Sequence, residues 1–305
     1  MNFKKDLFTS SDGKTAVSYK IYAPENPKAV IQLSHGMCEY VERYAPHAEF
    51  FVSQGFVFAG NDHLGHGDTA KTPDDLGYTV SADCLIEDVH KMTEILKSEY
   101  KDLPVFLLGH SMGSFISRCY LEKYGKELAG SIISGTAGSG NPTGLGKLLC
   151  KTIAAFKGDT HRSELVKSIS TGSYSKKFSK NAPASAWVTS NDALREKYDA
   201  DPLCNYVFTL NGYYNMFDLL GRVSKRSWAD TVPKELPIML IGGSDDPVGG
   251  AKGITEVYEK LKAAGMIDLK IKLFDGARHE LLNEIEPVKH ETYKLITDWI
   301  NDKIK

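Results

Sequence analysis

The stretch Gly109, His110, Ser111, Met112 and Gly113 places a serine between two glycines at the end of the apolar run PVFLLGH. A serine hydroxyl is a weak nucleophile at neutral pH, so chemistry at this position requires a base and a residue to orient that base. The pattern is GxSxG, with a strand-like run before it and the helical SMGSFISRCYLEKYG after it. This context predicts a strained strand-to-helix turn that lifts the serine Oγ clear of a sheet. A serine that merely caps the next helix is the weaker reading.

Nine histidines compete for the role of base. His279 follows the last strand-like run, DLKIKLFDGA, in a loop before the terminal helix, where ligands bind in open α/β sheets. His35 and His110 fall in glycine-containing turns and are expected to shape the floor of the site. His63 and His66, in NDHLGHGDT, have a spacing that could suit a metal, but with no carboxylate or cysteine at ligand spacing they read as loop architecture. His47, His90, His161 and His290 carry no local signal. The orienting acid is expected between serine and histidine in chain order, and IGGSDDPVG offers Asp245 and Asp246. Spacing does not choose between them. Two backbone N–H groups must hold the oxyanion: Met112 follows the nucleophile, and Met37 follows the turn-forming Gly36 in LSHGMCEY. This mechanism calls for neither metal nor cofactor.

These residues need a scaffold that gathers strand ends. Apolar runs recur at 29 to 36, 56 to 63, 104 to 111, 129 to 136 and 237 to 246, as for strands buried on both faces. Helical patterns lie between them, such as Leu85, Val89, Met92 and Leu96, and later Val288, Leu295, Ile296, Trp299 and Ile300. The alternation predicts a doubly wound, mostly parallel α/β sheet, with an antiparallel hairpin of two alternating runs around Ser11, Asp12 and Gly13.

From Ala137 to Ala229 the alternation stops, which predicts a helical insertion between two strands. There Leu145, Leu148, Leu149, Ile153 and Phe156 share one helical face, and VFTLNGYYNMFDLLGRV is dense in aromatics. Packing onto the sheet is the ordinary reading of these faces. The sharper one is an acyl tunnel, or transient contact with a membrane.

Composition narrows the class further. The 305 residues suffice for two units, or for one large α/β domain with an insertion. A net charge of -2, with 25% charged residues, offers no basic surface for nucleic acid. The N-terminal MNFKKDLFTSSDGKTAV has no apolar core of signal-peptide length, and no run approaches a membrane span. Cys38, Cys84, Cys119, Cys150 and Cys204 form no CxxC pair and read as free thiols. A cytoplasmic protein is expected.

Five pieces together resemble one family: HGMCEYVERY, NDHLGHGDT, GHSMGS, GGSDDPVG and GARHELLNE, in that order. They are similar to the α/β-hydrolase group that holds monoacylglycerol lipases, lysophospholipases and serine aminopeptidase-like hydrolases. The resemblance implies an α/β-hydrolase core over 1–136 and 230–305 and a helical cap over 137–229. It implies Ser111 as nucleophile, His279 as base, and Asp246 as acid, since the family's acid stands two residues before a branched apolar residue, here Val248. It further implies oxyanion donors at Met37 and Met112 and a lipid-like ester as substrate. The family's lipases often carry a small residue and then a glycine where this chain has Met37 and Cys38, a departure at the acyl entrance.

Overall fold

The computed structural model describes residues 1–179 and 181–305. Among them, eight strands form one sheet: β1 (Asn2–Thr9), β2 (Ala16–Ala23), β3 (Ala29–Ser34), β4 (Phe56–Asn61), β5 (Val105–His110), β6 (Gly130–Ser134), β7 (Ile238–Gly243) and β8 (Leu269–Phe274). Their order is β1-β2-β4-β3-β5-β6-β7-β8. β3 to β8 run parallel, while β2 pairs antiparallel with both β1 and β4. The mostly parallel sheet with an N-terminal antiparallel hairpin is therefore the observed architecture.

The central strands are apolar throughout because helices cover both faces of the sheet. Val30, Val57, Val105, Leu107 and Leu240 face a core shared with α2 (Ala82–Glu99), α3 (Met112–Tyr124) and α8 (Gly250–Ala263). Their neighbours Ile31, Phe58, Phe106, Leu108 and Ile241 face the opposite core, shared with α1 (Ala45–Ser53) and α9 (Val288–Lys303). In α2 the predicted face of Leu85, Val89, Met92 and Leu96 is buried, and the Ser81 side chain caps the helix by accepting from the Cys84 N–H. The hairpin departs from the expected alternation. β2 has sheet neighbours on both sides and is buried, whereas β1 is the edge strand and leaves Phe3 and Leu7 in solvent.

Between β6 and β7 the chain forms α4 (Thr143–Lys157), α5 (Glu164–Ser170), α6 (Asp192–Ala200) and α7 (Leu210–Ser224). α4 lies along α7, and α7 packs on α3. Arg118 of α3 holds both ends of this segment, donating to the carbonyls of Ala137 at 2.9 Å and Val223 at 2.6 Å. Its guanidinium lies 4.2 Å from the Trp228 ring centre, a cation–π contact inside the core. The apolar face expected on α4 divides in two. Leu149 and Ile153 pack inward, whereas Leu145, Leu148 and Phe156 are exposed because α7 covers only one side of the helix.

Candidate active site

β5 ends at His110 and the chain enters α3 one residue later, with Ser111 at φ 53°. A non-glycine residue in this left-handed region is strained, and such strain collects at reactive turns. Close packing explains the flanking glycines. A Cβ at Gly113 would overlap the carbonyl oxygen of Ser34, and one at Gly109 would overlap the Ser117 hydroxyl. The Ser111 N–H donates to the Ser134 carbonyl at 3.0 Å, which ties the turn to the next strand. Met112 opens α3, so its N–H has no acceptor within the helix and stands at the positive end of the helix dipole.

Met37 lies beyond the end of β3. The Gly36 N–H donates to Glu39 Oε2 at 3.0 Å, which folds the loop back on itself. Met37, Ser111 and Met112 border one cavity. Cys38, at the position of the missing family glycine, takes φ 57° and is buried, its thiol 3.6 Å from the Tyr206 carbonyl. The chain thus keeps the glycine-like turn without the glycine.

His279 follows β8, and its Nδ1 donates to Asp246 Oδ2 at 2.9 Å. The other Asp246 oxygen accepts from the Val248 N–H at 2.8 Å. Both residues are buried. Asp245 turns away, half exposed, with Oδ1 3.5 Å from Lys177 Nζ. Asp246 and His279, after β7 and β8, are thus hydrogen-bonded, and His279 borders the same cavity as Ser111, at the end of β5. With Nδ1 committed as donor, Nε2 is the basic nitrogen, and no other side chain or backbone group among the described residues occupies it.

His35, His63 and His66 form a buried cluster of rings, and neither His35 nor His110, expected to shape the floor of the site, borders the cavity itself. The His63 N–H donates to His35 Nε2 at 3.0 Å, so His35 Nδ1 donates to the Gly36 carbonyl at 2.9 Å. His66 Nδ1 donates to the Leu64 carbonyl, and His63 Nε2 meets the Ser34 hydroxyl. Burial, and the neighbouring imidazoles, hold His35 well below the usual histidine range; burial lowers His63 to about 3 and His66 to about 4. His47, which carried no sequence signal, is buried between Tyr293 and Asn283 and joins α1 to the C-terminal segment. Burial lowers it to about 3.

His110 behaves in the opposite way. Burial disfavours its charge, but the Glu39 carboxylate at 3.1 Å outweighs this and raises it to about 9, so the ring is an imidazolium at neutral pH. Glu39 also accepts from the Tyr44 hydroxyl at 2.6 Å, and Arg43 pairs with Glu280 at 2.7 Å. Sequence reasoning missed this network because its members are separated by up to 241 positions between Glu39 and Glu280. The tight cluster of Glu39, Arg43 and Tyr44 within HGMCEYVERY was the one available signal.

The cavity beside Ser111 measures about 410 Å³. Phe115, Leu149, Met216, Phe217, Leu220 and Val248 are among the apolar residues that make up most of its wall, and Glu39, Asn141, Thr143, Thr171, Tyr198 and Glu280 add polar groups. An anchor for a free amine would need an acid of the insertion at the site, yet none of Glu164, Asp192, Glu196, Asp199 or Asp201 borders the cavity.

Comparison with known proteins agrees with this fold. The family model for serine aminopeptidase, S33, matches residues 25–286. The monoglyceride lipase homolog of monkeypox virus is 27% identical over 284 residues, covering 92% of this chain and 91% of that protein. Human monoglyceride lipase is 25% identical over 279 residues, covering 91% and 84%. A thermostable carboxyl esterase from Bacillus coagulans, solved with glycerol, superposes over the full length of both chains with a TM-score of 0.93 at 29% identity. Since the matched span runs from before β3 to beyond His279, the chain belongs to the serine aminopeptidase S33 family and has an α/β-hydrolase fold.

Proposed function

We propose that the protein is a serine hydrolase of carboxylic esters of monoacylglycerol or lysophospholipid type, working through an acyl-enzyme on Ser111. The observation that carries this reading is the mainly apolar cavity that Ser111 and His279 border, with polar side chains such as Glu39, Thr171 and Tyr198 in its lining. An acyl chain suits the apolar lining, and the polar side chains can hydrogen-bond a glycerol-like alcohol. The relatives named as monoglyceride lipases, and the esterase solved with glycerol, support the same substrate class.

In the first step Ser111 Oγ attacks the ester carbonyl carbon as its proton passes to His279 Nε2, while Asp246 holds the imidazole by Nδ1. The N–H groups of Met37 and Met112 take the charge that forms on the carbonyl oxygen; one such donor is worth about 3 to 4 kcal/mol. The C–O bond breaks and the alcohol leaves with the proton from His279. Water then gives a proton to His279 and attacks the acyl group, and the acid departs as Ser111 regains its hydrogen. Residues 137–229 act as a cap over the core of 1–136 and 230–305, for α4, α5 and α7 all contribute to the cavity wall.

Electrostatics favour the ester over a substrate with a free amine. Glu39 and Glu280 are the carboxylates bordering the cavity, and His110 and Arg43 already balance their charge. A lipid surface is the proposed source of substrate. Leu145 and Ile169 border the cavity and are exposed, and Leu148, Phe156 and Leu165 extend that apolar rim along α4 and α5. No helix among the described residues is long and apolar enough to cross a membrane. Five free thiols suit the cytoplasm. A panel of esters of graded acyl length, with an aminoacyl amide included, tests the reading. Monoacylglycerol is expected to give the higher kcat/KM, and preference for the amide would overturn it.

A further inference from the structure

We propose that Trp187, in the segment between α5 and α6, is a positioning residue for this reaction: its indole holds the His279 ring and stabilises the imidazolium formed at each proton transfer. The inference rests on the serine-hydrolase reading above. The two ring centres are 5.0 Å apart with the planes inclined by 47°. A cation within about 6 Å of an indole centre is attracted by the π-system. Trp187 also borders the cavity that Ser111 and His279 line.

The backbone that carries the indole is fixed to the loop that carries the base. The His279 N–H donates to the Trp187 carbonyl at 3.3 Å, and the Glu280 N–H to the Val188 carbonyl at 2.9 Å. Arg278 Nη1 donates to the carbonyls of Ala186 and Thr189, and the Thr189 hydroxyl to that of Asn283. None of these bonds uses the indole. A side-chain substitution at Trp187 therefore leaves the clamp in place while removing the π face.

The charges around His279 show why such a contribution matters. Asp246, from the turn after β7, meets Nδ1 and favours the imidazolium. His110, at the end of β5, opposes it with a ring centre 4.8 Å away and a positive charge maintained by Glu39. On its own loop, Glu280 is engaged by Arg43, Glu284 by Ser190 and the Arg278 N–H, and the Arg278 guanidinium lies over Phe178. Tyr174 packs edge-on against Trp187 at 5.1 Å and carries no charge at neutral pH, since burial and the Asp246 carboxylate push it up to about 12. The indole is thus the neutral group that offsets His110 without competing for Nε2.

The experiment compares Trp187→Leu, which keeps apolar bulk, with Trp187→Phe, which keeps a π face. kcat/KM on a short soluble ester such as 4-nitrophenyl butyrate is measured across pH, with fluorophosphonate labelling and thermal denaturation in parallel. Trp187→Leu is expected to lower plateau kcat/KM by about fivefold or more and to move the acid limb about half a unit to lower pH. Trp187→Phe should retain most of both. An acid limb and plateau unchanged in Trp187→Leu, or equal losses in the two variants, would overturn the role of the indole. Absence of labelling in the unsubstituted protein would instead overturn the assignment of Ser111.

Discussion

His279 Nδ1 donates to Asp246 Oδ2 across 2.9 Å in a buried pair, while Asp245, one residue earlier, faces solvent and Lys177. Adjacent carboxylates in one turn therefore occupy unlike environments. Asp246→Asn is expected to lower kcat by about 10⁴, because an amide donor no longer selects the tautomer that leaves Nε2 basic. Asp245→Asn should stay within about twofold. Steady-state kinetics of the two variants on one ester check this, and a reversed pattern would transfer the role to Asp245.

Acid should unfold the protein through its neutral buried histidines. His35, His47, His63 and His66 stay unprotonated when folded but take up protons near pH 6.5 once unfolded. Below that pH the unfolded state binds more protons, so stability falls as pH drops, at up to about 1.4 kcal/mol per unit for each histidine. Urea unfolding at pH 7 and pH 5.5 should differ by several kcal/mol. Equal stabilities at the two values would mean these rings accept protons in the folded state.

His110 and Glu39 act in the alkaline direction. A histidine raised to about 9 contributes stability that is complete below its unfolded value of about 6.5 and is lost as pH climbs toward 9. Glu39→Gln leaves His110 without its anionic partner and should cost about 3 to 5 kcal/mol at pH 7. The decline between pH 6.5 and 9 should vanish with it. A variant that keeps the decline would point to another partner for His110.

How far the site could be read from the chain differs residue by residue. Ser111 and His279 stood out because each follows a strand-like run and local punctuation marks the turn. Asp245 and Asp246 follow the same strand, and only the turn through Val248, whose N–H caps Asp246, separates them. Glu39 with His110, and Trp187 with His279, are pairings across the sheet and across the insertion, for which no periodicity exists. The apolar face of α4 was legible as a face, but its division between packing and exposure depends on where α7 lies.

Gly146 borders the cavity where α4 packs on α7, and a Cβ there would stand 2.8 Å from the Phe217 ring. Gly146→Leu should press on Phe217 and narrow the cavity, where the proposed function places the acyl chain. Esters of long acyl chains are expected to lose tenfold or more in kcat/KM, while a butyrate ester keeps its rate. Equal losses for both lengths would show that the acyl chain lies elsewhere.

The most direct test of the acyl-enzyme is to mix the protein with a monoacylglycerol, quench with acid before steady state, and map the adduct by mass spectrometry. A mass increase equal to the acyl group should fall on the peptide carrying Ser111 and be absent in Ser111→Ala. Glycerol release without acylation at Ser111, or an adduct that survives Ser111→Ala, would contradict the account.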